Sequence, residues 1–251
     1  MREASWLSDE NDDFWETWEP YLFPQARIRN TPREVDALIG LLELPQGASV
    51  LDFCCGIGRH SLDFARRGFV VTAIDHTRGY LDRARAQATA EGLKIDFIEC
   101  DARAFHSANS FNAAINMFTS FGYFDDPAED LKVARILYES LKPGGRLIID
   151  LPGKEIVARQ FQERVWARHD DGSYGLEERK IRDGWDRVDS RWILVRDGKV
   201  WEGTVSNRLY SGAEIRDLLK SAGFAAVRLL GNLAGAPYDN NAERLVAVAT
   251  K

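Results

Sequence analysis

Three cysteines among 251 residues, Cys54, Cys55 and Cys100, give neither a disulfide framework nor the paired spacing of a metal site. No metal is therefore expected. No apolar run approaches the roughly 20 residues of a membrane span, so no membrane partner is expected. The opening MREASWLSDEND is acidic and polar, unlike a signal peptide, and the cytoplasm is the expected compartment. Basic residues are outnumbered, 33 against 39 acids, and no long basic run occurs. That argues against a nucleic-acid partner, whose phosphates need neutralising. Internal repeats and low-complexity tracts are absent. What remains, 45% hydrophobic and 29% charged, is the composition of an ordinary globular protein.

The chemical signal is concentrated in residues 50–60, VLDFCCGIGRH. An apolar run that breaks into a Gly-x-Gly turn and feeds a helix builds a nucleotide-type site at the carboxyl edge of a sheet. Gly56 and Gly58 carry no Cβ, so the backbone there can come close to a ligand. Asp52, at the strand end, would repel a pyrophosphate and attract an ammonium group. The third glycine of a dinucleotide fingerprint falls at residue 61, where Ser61 stands. S-adenosylmethionine, with an ammonium, a sulfonium and no phosphate, fits these residues better than NAD. Asp75 ends the next strand, about 20 residues past the glycines, where an acid accepts from ribose hydroxyls. Capping of the following helix is its other reading.

Around this stretch strands and helices alternate. Strands are expected over 49–53, 69–75, 95–100, 111–118 and 146–151, with helices over 59–67 and 78–91 and a third opened by Asp126-Pro127. Alternation of this kind implies a mostly parallel sheet with helices on both faces. Two helices precede it. The first covers 8–21, ended by Pro20 and Pro24; the second has Thr31 as N-cap, Pro32 as first helical residue and Glu34 as capping-box partner. From Pro152 the βα rhythm gives way to charged, Trp-rich, strand-like runs, with Asp197-Gly198 as a two-residue hairpin turn. It resumes at Ser211 with a helix over 211–222 and strands over 225–230 and 244–249.

The sequence resembles the class I S-adenosylmethionine-dependent methyltransferases, of the small-molecule or orphan bacterial type, whose first motif usually reads VLDLGCGTGR. It departs from that pattern at Cys54, where the family has glycine. Because cysteine reaches positive φ at a cost, Cys54 is expected to be extended or αR. The resemblance implies a Rossmann-like α/β fold: a mostly parallel sheet with helices on both faces, plus an inserted antiparallel β lid and an N-terminal helical cap. The corresponding division is 1–47 (cap), 48–151 with 211–251 (Rossmann-like domain), and 152–210 (lid). It implies S-adenosylmethionine as cofactor, with Asp52, Cys54, Gly56, Gly58, Asp75, His76, Asp101, Ala102 and Asn116 around it. In that reading His76 packs on the adenine, Asp101 accepts from its amino group, and Ala102 donates a backbone N–H.

The segment NMFTSFGY, residues 116–123, lacks the Asn/Asp-Pro-Pro-Tyr/Phe of enzymes that methylate exocyclic base amines, and no Pro-Cys pair occurs. A small-molecule acceptor is therefore expected, methylated at N, O or C. A hydroxyl acceptor would be helped by a general base, for which His60, Tyr123, His169 and Tyr238 are candidates. Two other readings stay open: an NAD-dependent oxidoreductase on the same sheet, and a non-catalytic S-adenosylmethionine-binding protein. All seven tryptophans lie outside the alternating core: Trp6, Trp15 and Trp18 before it, Trp166, Trp185, Trp192 and Trp201 in the insertion. Alternation about the Asp197-Gly198 turn puts Trp192, Leu194, Trp201, Val205 and Leu209 on one face. That face either seals the hairpin against the core or, with Trp15, Trp18 or Tyr21, roofs the acceptor pocket.

Overall fold

The computed structural model describes residues 12–169 and 171–251. Helices α1 (Asp12–Leu22) and α2 (Gln25–Leu42) come first. The alternating part follows as β1 (Ser49–Phe53), α3 (Arg59–Arg66), β2 (Val70–Asp75), α4 (Arg78–Ala90), β3 (Ile95–Glu99), β4 (Phe111–Asn116), α5 (Pro127–Ser140) and β5 (Leu141–Leu151). Next are α6 (Lys154–Gln160), β6 (Arg164–Arg168), β7 (Tyr174–Ile181), β8 (Arg187–Arg196) and β9 (Lys199–Arg208). Helix α7 (Gly212–Ala222) and strands β10 (Ala226–Leu230) and β11 (Leu245–Thr250) end the chain.

The larger sheet runs β10-β11-β5-β4-β1-β2-β3, with β11 antiparallel to both its neighbours. Strand parity divides its core. Leu51, Phe53, Ala114 and Leu147 pack against α5 and α7 through Leu137, Ile215 and Leu219. Val50, Ile115 and Ile148 face the other way, against Val35 and Leu38 of α2 and Phe64 of α3. Successive side chains on a strand point to opposite faces, so buried strands between two helical layers are apolar throughout. Strand order reverses between β1 and β4, which lie side by side, and a crevice opens at their carboxyl ends.

Prolines mislead the sequence reading of the first two helices. Pro20 lies inside α1, and the expected start of that helix at Ser8, like Trp6, lies outside the described residues. Thr31 and Pro32 lie inside α2, which begins after Pro24. The capping box is therefore absent: Thr31 Oγ1 donates back to the Arg27 carbonyl at 3.4 Å, and Glu34 turns to Arg59 and His60. A helical proline forfeits a backbone hydrogen bond, and here tertiary contacts to the next two turns of α2 outweigh that cost. By contrast Ser211 and Glu214 do form a capping box at α7. Strand β5 begins at Leu141, earlier than expected, and α6 is a helix in a stretch read as strands.

The smaller sheet, β6-β7-β8-β9, is antiparallel. The β8–β9 register pairs Val195 with Val200, Leu194 with Trp201 and Trp192 with Gly203, as the turn residues dictate. Asp197 and Gly198 both have positive φ, 51° and 72°, which makes the turn type I′. Leu194, Val205 and Leu209 of the apolar face are buried, while Arg191 pairs with Glu178 and Glu202 on the opposite face.

Helix α1 joins the two sheets. Phe14 packs where a Gly203 side chain would have to be, and its ring stacks on Trp192 with centroids 6.2 Å apart. Trp18, 1% exposed, meets Trp192 edge-on at 5.5 Å. On the other side Tyr80 of α4 donates to the Trp15 carbonyl, and Arg83 pairs with Glu19.

Candidate active site

The carboxyl ends of β1, β2 and β4 open into a cavity whose empty space, its mouth included, is about 1290 Å³. Asp52, Cys54, Gly56, Asp75, His76, Asp101 and Ala102 all line it. Asp52 is 2% exposed, and its Oδ2 accepts from Ser61 Oγ at 2.5 Å. Asp75 accepts from the backbone N–H of Gly56 at 2.7 Å and of Thr77 at 2.9 Å. One carboxylate thus braces the glycine turn and the start of α4, whose N-cap is Thr77. Burial pushes both acids above the ordinary carboxylate range, against the hydrogen bonds they accept.

Cys54 overturns the conformational expectation. Its φ is +61°, the left-handed region, so cysteine occupies the backbone position that glycine fills in the related motif. The chain must reverse there to bring the Cys55 N–H to the Ile74 carbonyl at 2.8 Å. That demand outweighs the roughly 1–2 kcal/mol that a side chain adds in this region. All three cysteines are free thiols. Burial, followed by the Asp75 charge, raises Cys54 and Cys55 well above the usual thiol value, so both stay protonated at neutral pH. Gly56 (φ +56°) also faces the cavity, and a Cβ there would lie 2.8 Å from Phe23 Cζ. Gly58 does not line the cavity; a Cβ there would meet Ala84 Cβ at 2.8 Å, so its part is to let α4 pack.

At the β3 end Asp101 is forked by Arg103, with Nη2 to Oδ2 at 2.6 Å and Nε to Oδ1 at 3.0 Å. Asn116 is fully buried and off the cavity wall. Its Nδ2 donates to the Phe53 carbonyl at 3.1 Å, tying β1 to the end of β4. The segment beyond it is strained: Phe118 and Thr119 have φ of +54° and +67°. Asp150 holds both, accepting from the Phe118 N–H at its carboxylate (3.1 Å) and from the Thr119 N–H at its carbonyl (3.0 Å).

Of the four candidate bases, His60 and Tyr123 line the cavity, and His169 and Tyr238 do not. His169 packs edge-on against Tyr21 at 5.5 Å, and Tyr238 donates to Glu155 at 2.7 Å. Burial pushes the Tyr123 phenol to about 12, so it serves as a neutral hydrogen-bonding group and not as a phenolate. His60 Nε2 lies 2.9 Å from Glu34 Oε2. Burial would raise Glu34, but hydrogen bonds from His60 and Arg59 prevail and bring it down to about 2.

Sequence reasoning missed three arginines. Arg27 and Arg59 line the cavity and stand over the Phe118 ring, at 4.7 and 4.4 Å from its centroid. Glu34, read as a cap, was the available signal for Arg59. Arg187, 2% exposed, reaches from β8 to the Phe124 carbonyl at 2.6 Å and the Tyr123 carbonyl at 3.1 Å. It locks the smaller sheet to the β4–α5 connection that carries Tyr123. Trp15 of α1 lines the cavity and meets Tyr123 edge-on at 5.9 Å.

A Rossmann-like sheet with this acid–glycine turn is the arrangement of the class I S-adenosylmethionine-dependent methyltransferases, to which the chain is similar, and S-adenosylmethionine is the cofactor. Residues 50–145 match the family model described as a methyltransferase domain. Over 213 residues the chain is 26% identical to the putative methyltransferase YqeM of Bacillus subtilis, covering 83% of this chain and 86% of that one. It is 29% identical over 205 residues to the carboxy-S-adenosyl-L-methionine synthase of Wolinella succinogenes, covering 78% and 77%. Its fold matches an S-adenosylmethionine-dependent methyltransferase from Clostridium acetobutylicum, with a TM-score of 0.77, 18% identity and coverage of 96% and 99%. Among the described residues no cluster suited to a metal ion occurs, and no helix is long and apolar enough to cross a membrane.

Proposed function

We propose that the chain methylates a small-molecule acceptor held beneath Trp15 of α1; the apolar face of the β8–β9 hairpin, with Trp18 and Tyr21, lies off the cavity wall and packs behind that roof. The observation that carries this reading is the closure of Trp15 over Tyr123 above the same cavity that Asp52 and Asp75 line. Aromatic walls exclude water and leave little room for a macromolecular surface. Names among the relatives support it: a ubiquinone biosynthesis O-methyltransferase of Ruegeria pomeroyi, 33% identical over 118 residues, and the sugar N-methyltransferase KedS8.

In this reading Asp75 accepts from the ribose hydroxyls, Asp52 faces the ammonium group, and His76, Asp101 and Ala102 border the adenine. The cofactor supplies a methyl group already activated on a sulfonium. The chain's residues therefore orient and desolvate. Asp75 fixes the glycine turn while it faces the ligand, Phe118 and Tyr123 wall the acceptor side, and Trp15 covers it. An amine acceptor needs only to be delivered neutral; for a hydroxyl, His60, its ring held by Glu34, is the base on the wall. The test is a screen of metabolite pools for acceptor-dependent release of S-adenosylhomocysteine, repeated with Trp15→Leu. A hit whose KM rises at least several-fold in Trp15→Leu supports the reading. Turnover with protein or RNA fractions alone would overturn it.

A further inference from the structure

The two faces of the smaller sheet are unlike. Along β7, Gly175 and Glu177 are buried while Tyr174 and Leu176 are exposed, so alternate residues face opposite ways. The inner set meets α1: Glu177 accepts from Trp192 Nε1 at 3.3 Å, and Trp192 packs on Phe14 and Trp18. An antiparallel sheet covered on one side is expected to be polar on the other. Here the register instead lines up Trp166, Leu176 and Ile193 across three strands, with Tyr174, Val195 and Val200 in the next row. Trp166 is 70% exposed, and its ring lies 6.2 Å from that of Tyr174. Of the six exposed large hydrophobic side chains among the described residues, four share this face: Trp166, Tyr174, Leu176 and Val200. Scattered apolar residues on a surface need no explanation, but a contiguous patch marks an interaction site.

The charges around the patch select what fits it. Arg164, Glu178, Arg191 and Glu202 form a chain of alternating sign along one side, linked at 3.5, 2.9 and 2.7 Å. Arg168 stands over the Tyr174 ring on the other side. An anionic partner, such as a lipid surface or a nucleic acid, would meet both glutamates with like charge. A second copy of the chain would not. With a two-fold axis along the strands between β7 and β8, Leu176 faces the second copy's Ile193, Tyr174 faces its Val195, and Glu178 faces its Arg191. Four strands about 4.8 Å apart and about eight residues long cover about 500 Å² on each copy. The pair then buries about 1,000 Å², the lower bound of a specific interface. Edge-to-edge pairing is the other way a sheet recruits a copy. Charged residues on both edge strands oppose it, Arg164 and Arg168 on β6, Lys199 and Glu202 on β9.

We propose that the outer face of the smaller sheet is the interface of a homodimer. None of its residues lines the cavity, so the contact leaves the site open. It backs the sheet on whose inner face Trp192 meets Trp15.

The test is sedimentation equilibrium of the full chain across a dilution series. Wild type should reach twice the mass of one chain. Trp166→Ser should weaken the dimer by about 30-fold or more, the effect of truncating a central interface residue. Because the ring is exposed, the melting temperature at high dilution should barely change. Val70→Thr alters an apolar residue that is 63% exposed on the other sheet, and it should leave association as it is. The charges supply a test that misfolding cannot imitate. Glu178→Arg and Arg191→Glu should each be monomeric alone and should form a mixed dimer when combined, since each supplies the charge the other has lost. The proposal is overturned if wild type stays monomeric at every concentration, if Trp166→Ser dimerises as tightly as wild type, or if the two charge variants do not associate. Binding of monomeric wild type to phosphatidylglycerol vesicles, lost in Trp166→Ser, would assign the face to a lipid surface and overturn it as well.

Discussion

Asp150 receives Arg244 on both carboxylate oxygens, at 2.8 and 2.9 Å, and on one of them also the backbone N–H of Phe118 at 3.1 Å. The pair holds two consecutive non-glycine residues in the left-handed region at the cavity edge. Such residues cost of order 1–3 kcal/mol each and persist only where the surroundings over-determine them. Arg244→Met leaves Asp150, 3% exposed, without its cation. The expected loss is roughly 1–3 kcal/mol, less than for a fully buried pair because the Arg244 side chain is 31% exposed. Melting should fall by about 2–4 °C per kcal/mol, with weaker cofactor binding as Phe118 relaxes. Unchanged melting and affinity in a calorimeter would count against the clamp.

Asp75 joins the Gly56 N–H, the Thr77 N–H and the cavity. Asp75→Ala should weaken S-adenosylmethionine by roughly 2–3 kcal/mol, since charged hydrogen bonds are worth about 1.5–3 each. Asp75→Asn should lose less of the fold and much of the affinity. An isotherm as tight as wild type from a folded variant would remove Asp75 from the seat.

Acid stability has a sign that can be worked out. Glu34 sits near 2 in the folded protein, below its unfolded value. Its contribution is present above pH about 4.5 and is lost as pH falls toward 2. Burial raises Asp52, Asp75 and Asp130, which therefore act the other way, favouring the folded state as pH falls. The melting gap between wild type and Glu34→Gln should be widest near neutrality and narrow steadily below pH 4.5. A gap that stays constant with pH would show that Glu34 contributes by packing alone.

Cys54→Gly exchanges a left-handed cysteine for the residue that adopts this conformation freely. Relief of roughly 1–2 kcal/mol is offset by about 0.4–1 kcal/mol of added unfolded-chain entropy and some lost packing. Stability within about 1 kcal/mol of wild type, with cofactor binding retained, is expected from denaturant titration. A loss of methyl transfer with binding intact would instead assign chemistry to the thiol.

The tryptophans separate by position. Trp18, 1% exposed in the ring cluster, should cost about 3–5 kcal/mol as Trp18→Ala. Trp201 is half-buried against Arg196 and lies off the cavity, so Trp201→Leu should change neither cofactor affinity nor acceptor KM. Trp15→Leu should leave melting nearly unchanged and raise acceptor KM. The reverse pattern, Trp201 moving KM and Trp15 moving only stability, would relocate the roof.

Local signals made much of this legible. The position of the β1 turn, the start of α7 at Ser211 and the Asp197-Gly198 register are each decided within a few residues, and the sequence reading places them as the structure does. What escaped is decided between distant residues. Thr31 and Glu34 look like a cap until Arg59 is brought beside them, and Pro20 and Pro32 look like stops until packing holds their helices continuous. Cys54 obeys a turn that a glycine would fill, against its own preference. Arg187 reads as one charge in a charged strand, and only the fold carries it to the Tyr123 and Phe124 carbonyls.

Phe14 meets Gly203 and Trp192 across most of the sequence, while Trp15 and Glu19 engage α4. The N-terminal helix and the hairpin are thus packed as one unit, and of the two only the helix reaches the cavity wall. A chimaera that grafts a relative's hairpin onto this sheet, or its first helix alone, inherits a mismatched seam. On the acceptor seat proposed above, retargeting means exchanging both pieces together while leaving Asp52, Asp75 and the glycine turn as they are.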